Sequence, residues 1–289
     1  MNRRDFFTRG AAVAGGVSLS RFPYPLFAGT TKKQASDRVL LGPRKVEVSR
    51  LAMGTGTNGA GGSSNQTKKL GVEGIANLFK FGYDQGCTFW DSADQYGSHP
   101  HVKEALKSVK RETVAIMSKT HASTEKEMRA DLDRFRSEMG TDYIDILLLH
   151  CMLDGNWPEK KKGAMEVISA AQQKGIVRTH GTSNHTIEAL RTSARTPWVE
   201  VDLARINPAQ IAMDASPEVV LGVLKEMKAS GKGIIGMKIL GAGRLRNKAD
   251  EALQFALAQN VLDCFTIGAE SQTELADLVR KIPAASVRG

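Results

Sequence analysis

From residue 37 onward, short apolar runs alternate with longer amphipathic stretches, and the alternation repeats eight times. The runs fall at 50–54, 88–93, 114–119, 144–150, 179–183, 200–206, 233–238 and 262–267. Helix-spaced patterns follow them at 72–85, 101–107, 124–138, 164–174, 187–193, 217–230, 248–259 and 271–281. That is the signature of repeated β-α units around a parallel sheet. Eight units favour closure, which removes both sheet edges at once. A doubly wound open sheet is the competing solution, but it usually carries G-x-G-x-x-G after its first strand. Here residues 53–57 are Gly-rich, yet the 58–64 stretch holds too much glycine to open a helix. The expected fold is therefore α/β, a single-domain (β/α)8 TIM barrel spanning 37–289.

Charge narrows the partners. The net charge is +9, with 40 Lys+Arg against 31 Asp+Glu, but outside the first thirty residues the charges are of mixed sign and scattered. The densest run, Lys160-Lys161-Lys162, reads as a solvated loop or helix start, and aromatics are only 6%, so no nucleic-acid surface is expected. Three cysteines, Cys87, Cys151 and Cys264, lie far apart without a C-x-x-C pair. They fit neither a disulfide framework nor a metal cage and read as reduced, packed thiols.

The first thirty residues have a different character. Arg3, Arg4, Arg9 and Arg21 face Asp5 alone, and a weakly apolar Gly/Ala-rich stretch from Gly10 to Leu19 precedes Ser20-Arg21-Phe22-Pro23. A positive n-region, a short apolar h-region and a polar exit make an export signal. The Arg3-Arg4-Asp5-Phe6-Phe7 order resembles the twin-arginine type. Residues 1–36 are thus expected to be signal and linker, the export machinery a partner, and the bacterial periplasm the destination. The alternative is a basic tail with a chance Arg-Arg pair. Leu26-Phe27-Ala28 is a poor cleavage site, so an uncleaved membrane tether is also open.

Four of the proposed strands end in, or run directly into, an ionisable side chain: Asp91, Lys119, His150 and Lys238. In a parallel barrel the C-terminal strand ends converge on the catalytic face, so these residues should share one cleft, with Tyr96 swinging in from the loop after Asp91. Singly, each could be a solvated terminus, an ion pair or a strand cap. Together they favour a site. A lysine beside a tyrosine should pull the phenol pKa down, and a carboxylate should keep the lysine charged. A tyrosine so placed can give a proton to a carbonyl oxygen, with a neutral histidine orienting that carbonyl. No activated nucleophile and no metal-ligand spacing accompany them.

The motifs Asp91-Ser92-Ala93-Asp94-Gln95-Tyr96-Gly97, Ser118-Lys119-Thr120, the run from Thr141 through Asp145 to His150, and Gly181-Thr182-Ser183-Asn184 resemble those of the aldo-keto reductases, in the same order over roughly residues 38–280. The resemblance implies a nicotinamide-dependent oxidoreductase interconverting a carbonyl and an alcohol. It makes Tyr96 the general acid/base, Lys119 and Asp91 its tuning pair, and His150 the carbonyl-orienting residue. It places Gly54, Thr55, Ser183, Asn184, Met237, Lys238, Gly268, Glu270 and Glu274 around NAD(H) or NADP(H). Leu203 stands where the family usually has Gln, and Met237 where an aromatic ring usually stacks on the nicotinamide. Glu270, Glu274 and Asp277 stand where a 2′-phosphate is often bound. Carboxylates repel a phosphate and accept from ribose hydroxyls, which favours NAD. The short end after the last helix suggests an open site with loose substrate preference, and Met152 and Trp157 are candidates for its wall. The altered positions also leave a second reading: an exported, non-catalytic barrel that binds a small ligand or a partner protein.

Overall fold

The computed structural model describes residues 32–286; the proposed signal lies almost wholly outside the described residues. The chain opens with an antiparallel hairpin, β1 (Arg38–Leu41) and β2 (Val46–Ser49). Eight parallel strands then close a barrel: β3 (Leu51–Gly54), β4 (Phe89–Asp91), β5 (Ala115–Thr120), β6 (Ile144–Met152), β7 (Val177–Asn184), β8 (Val201–Arg205), β9 (Gly233–Met237) and β10 (Cys264–Gly268). The seam joins β10 back to β3, Phe265 opposite Leu51 and Gly268 opposite Gly54. The helices between are α1 (Asn65–Asp84), α2 (His99–Ala105), α3 (Glu125–Met139), α4 (Trp157–Lys160), α5 (Lys162–Gln173), α6 (Ile187–Arg195), α7 (Pro217–Ala229), α8 (Ala249–Ala258) and α9 (Gln272–Ala285).

Two hydrophobic layers result. Leu51, Met53, Trp90, Ile116, Leu147 and Leu149 point outward under the helices. Ala52, Phe89, Met117, Ile146, Leu148, Leu203, Ile235 and Cys264 fill the barrel interior. The hairpin contributes Leu41, Val46 and Val48 to that interior and plugs one end of it. Gly42 makes the plug's turn: its φ is +63°, and a Cβ there would sit 3.0 Å from Glu200 O. The hairpin has no counterpart among the sequence expectations. Part of the expected linker also belongs to the body. Lys33 N donates to Ser286 Oγ at 3.0 Å, and Leu51 N donates to Ala35 O at 3.0 Å.

The Gly-rich stretch after β3 does not open a helix, as expected, but α1 begins seven residues earlier than its apolar pattern. Ser64 and Thr67 form a capping box, and Gly71 kinks the helix with a φ of 63°. Lys162 opens α5. Met152 and Trp157 are buried in the outer hydrophobic layer rather than walling an open site.

Candidate active site

The period of two along each strand decides which polar side chains enter the barrel. Phe89 faces inward, so Asp91 does too; Met117 is followed inward by Lys119, and Leu148 by His150. Three consecutive strands thus deliver a carboxylate, an ammonium and an imidazole to the same end. A 3₁₀ turn at Asp94–Tyr96 brings in the phenol, and Gly97 ends it in the left-handed region with φ 64°.

The four groups meet. The fully buried Lys119 Nζ donates to Asp91 Oδ1 and, at 2.9 Å, to Ser92 O. Asp91 Oδ2 accepts from Thr266 Oγ1 at 2.7 Å. Lys119 Nζ lies 4.7 Å from the Tyr96 ring centroid, and the Tyr96 hydroxyl is 3.5 Å from His150 Nε2. His121 stacks on His150 at 4.8 Å and is within 2.8 Å of Gln95 through Nε2. Gly56 and Gly59 seat the phenol ring: a Cβ on either would lie 2.3 Å from its carbons. Gly56 and Gly59 are therefore there to make room for Tyr96.

The electrostatics correct one expectation. Burial pushes the Tyr96 phenol above its ordinary value, and Asp91 adds to the rise, outweighing the opposing pull of Lys119. Tyr96 is thus held protonated at neutral pH, as a proton donor should be. Burial also opposes the charge on Lys119, but the Asp91 carboxylate beside it more than restores it and keeps the ammonium charged. His150 is driven well below the usual imidazole value by burial, and then by Lys119, His121, His185 and Lys238, so it is neutral.

A cleft of about 330 Å³ runs from this cluster to α9. Gly54, Asp91, Tyr96, Leu203, Met237 and Lys238 line its catalytic end, Gly268 lies opposite Gly54, and Glu270, Glu274 and Asp277 line its far end. Glu270 accepts from Asn65 Nδ2 at 3.2 Å and pairs with Lys69 at 3.1 Å, and Lys69 leads in holding its carboxyl below the ordinary range. Arg246 also lines the cleft and, behind Lys69 and Asn65, helps lower the Glu270 carboxyl.

Three residues expected at the cofactor are not brought to the cleft. Thr55 turns its hydroxyl to Asp91 O and Ser98 Oγ. Ser183 Oγ accepts from Cys151 N at 2.9 Å. Asn184, one residue on, faces the opposite side of β7: its Nδ2 donates to Asp202 at 2.6 Å, and its Oδ1 accepts from Ser193 Oγ at 3.0 Å. Sequence reasoning missed Thr266, His121 and Asn65, which reach the site only through strand and loop neighbours far away in the chain. Among the described residues, Asp94, His99 and Glu138 bring donor atoms within 4.8 Å of one another, but Arg134 already bridges Asp94 and Glu138. Cys87 and Cys264 are buried free thiols, and Cys151 is half-buried beside His150.

Residues 51–283 match the sequence model of the Aldo/keto reductase family. Aldo-keto reductase family 1 member C21 of Mus musculus is 26% identical over 210 residues, covering 64% of each chain. The NAD/NADP-dependent indole-3-acetaldehyde reductase of Schizosaccharomyces pombe is 29% identical over 191 residues, covering 63% of this chain and 64% of that one. The chain thus spans less than two thirds of the length of these curated relatives. The aldo-keto reductase AKR11C1 of Bacillus halodurans, in its holo form, superposes with a TM-score of 0.67 at 17% identity, over 86% of this chain and 90% of that one. That likeness shows the shared barrel. By the extent of the sequence match, the chain belongs to the aldo/keto reductase family.

Proposed function

We propose that this protein interconverts an aldehyde or ketone and its alcohol using a nicotinamide dinucleotide, with Tyr96 as the general acid/base. The observation that carries the reading is the cluster of Tyr96, Lys119, Asp91 and His150, which meets one long cleft through Asp91 and Tyr96. The cleft reaches from Asp91 and Tyr96 to Glu274 and Asp277 on α9, with Met237, Lys238, Gly243 and Arg246 also in its lining, which supports an extended dinucleotide as its occupant. The bound dinucleotide supplies or takes up the hydride. The chain's own residues handle the proton. Tyr96 donates it to the carbonyl oxygen, Lys119 and Asp91 fix the charge beside the phenol, and neutral His150 orients the carbonyl by hydrogen bonding.

Gly54, Met237 and the main chain of Lys238 would border the nicotinamide, and Gly268, Glu270 and Glu274 the adenosine. Ser183 supports the nicotinamide end indirectly, by anchoring the main chain beside His150. The acidic lining of Glu270, Glu274 and Asp277 supports a preference for NAD over a 2′-phosphate, with Lys69 on Glu270 and Arg280 on Asp277 offsetting part of that charge.

The test is a fluorescence titration of the protein, from residue 31 onward, with NADH and NADPH, alongside Tyr96→Phe. We expect NADH to bind both proteins, NADPH to bind less tightly, and only the wild type to reduce a panel of aldehydes. No binding of either nucleotide would refute the reading and leave the second one, a non-catalytic barrel for a small ligand or a partner protein. Leu203 at the cleft and Asn184, bonded to Asp202 and to Ser193 of α6, are the observations that favour that alternative. We also propose export to the periplasm through the Arg3-Arg4 signal. Retention in the cytoplasm of an Arg3→Lys/Arg4→Lys variant, with wild type exported, is the expected result, and equal localisation of the two would overturn it.

A further inference from the structure

The catalytic end of the cleft holds a cation that the surrounding side chains do not balance. Lys238 follows β9 and lines the cleft beside Asp91, Tyr96, Leu203 and Met237. Its backbone sits in the left-handed region, with φ 58°, a conformation that residues with a Cβ adopt seldom. Gly241 N and Asn207 Nδ2 hold that conformation by donating to Lys238 O at 2.8 and 3.2 Å. The half-buried ammonium has no hydrogen bond or ion pair among the described residues.

The carboxylates at this end are committed elsewhere. Asp91 accepts from Lys119 and Thr266, and Asp214 pairs with Arg205. The other ionisable neighbours, Lys119, Arg205, His150 and His185, are cations or bases. After burial, the groups that act on the Lys238 charge are Arg205, Asp91 and Lys119, all at the catalytic end. A half-buried ammonium without a partner has lost hydration uncompensated, and an entering carboxylate would supply a charge-assisted hydrogen bond.

We propose that Lys238 receives a carboxylate on the substrate, so that the reaction runs on an anionic carbonyl compound, an aldehyde or keto acid and its hydroxy acid. The inference rests on the reductase reading above. A phosphate of the dinucleotide could offer the same chemistry, so the test separates the two sources.

The experiment compares NADH-dependent reduction of 4-carboxybenzaldehyde and its methyl ester by wild type, Lys238→Met, Lys238→Gln and Lys238→Arg, with NADH affinity measured for each. Wild type should favour the acid by about tenfold in kcat/KM, the scale of one charge-assisted hydrogen bond. The Met and Gln variants should bring the two substrates within about twofold, while Arg keeps the preference and NADH affinity stays within about threefold throughout. Absence of the preference in wild type, or its survival in Lys238→Met, overturns the proposal. So does a roughly tenfold loss of NADH affinity in Lys238→Met with the preference intact, which would assign the ammonium to the nucleotide phosphate. Calorimetry with benzoate reads the site without turnover. If neither aldehyde is reduced but benzoate binds wild type and not Lys238→Met, the anion site stands and the reductase reading falls. If benzoate does not bind wild type, the anion site falls.

Discussion

Replacing Gly56 or Gly59 with alanine should damage catalysis through a residue that neither glycine resembles. A Cβ at either position would lie 2.3 Å from carbons of the Tyr96 ring, where ordinary contact begins at 3.4 Å. The ring, or the loop, must therefore give by about 1.1 Å. The Tyr96 hydroxyl is already 3.5 Å from His150 Nε2, the outer limit of a hydrogen bond, so movement away breaks that contact outright. A misplacement of about 1 Å in a reacting group costs on the order of a hundredfold in rate. Overpacking of this kind also destabilises by about 1–3 kcal/mol, so kcat must be measured well below the melting transition. The assay is steady-state reduction of an aldehyde with saturating NADH by wild type, Gly56→Ala, Gly59→Ala, Tyr96→Phe and the Tyr96→Phe/Gly56→Ala double variant. We expect each alanine to lower kcat about a hundredfold, and the double variant to be no slower than Tyr96→Phe, because the glycine acts through the phenol. If both alanine variants keep kcat within about threefold of wild type, the seating argument is refuted.

Lys119→Met should abolish turnover and lower the unfolding free energy by about 3–5 kcal/mol, since it leaves Asp91 buried without its counter-charge; urea denaturation checks this. For an uncharged aldehyde, kcat/KM should stay flat across neutral pH. His150 takes up its proton only well below 6.5 and Tyr96 loses its own only above 10.0, so both are neutral in between. A break in the pH profile between about 7 and 9 would contradict that assignment. Gly222, exposed in the interior of α7 with nothing within 4 Å of a Cβ, should accept alanine with a gain of about 1 kcal/mol, seen as a raised melting temperature with unchanged kcat.

How much of this was legible in the sequence depends on whether a feature is set by local pattern. The barrel was, because continuous apolar runs such as Ile146–Leu149 can be buried on both faces only in a covered parallel sheet. Asp91, Lys119 and His150 were, because each ends such a run. Three kinds of feature were not. The hairpin of β1 and β2 has four residues in each strand, too few to show a period. Ser183 and Asn184 look like a pair in the sequence, but neighbours on a strand face opposite ways, and Asn184 goes to Asp202 and Ser193. The direction of the Tyr96 shift depends on how completely Gly56, Gly59 and His150 enclose the ring, whereas the nearby lysine is all that residue order suggests.

The seam of the barrel sets an order of events in folding. β3 is among the first strands made and β10 the last, and closure pairs Leu51 with Phe265, a contact between chain segments far apart in sequence. Such long-range pairing is slow, because most of the chain must be fixed before the contact can form. Thr266, the residue that anchors Asp91, lies on that closing strand. A nascent chain still lacking β10 would already contain Tyr96, Lys119, Asp91 and His150, but not the hydroxyl that holds the carboxylate in place. Completion of the fold and assembly of the catalytic geometry are therefore one event, reached only after residue 268 has been synthesised.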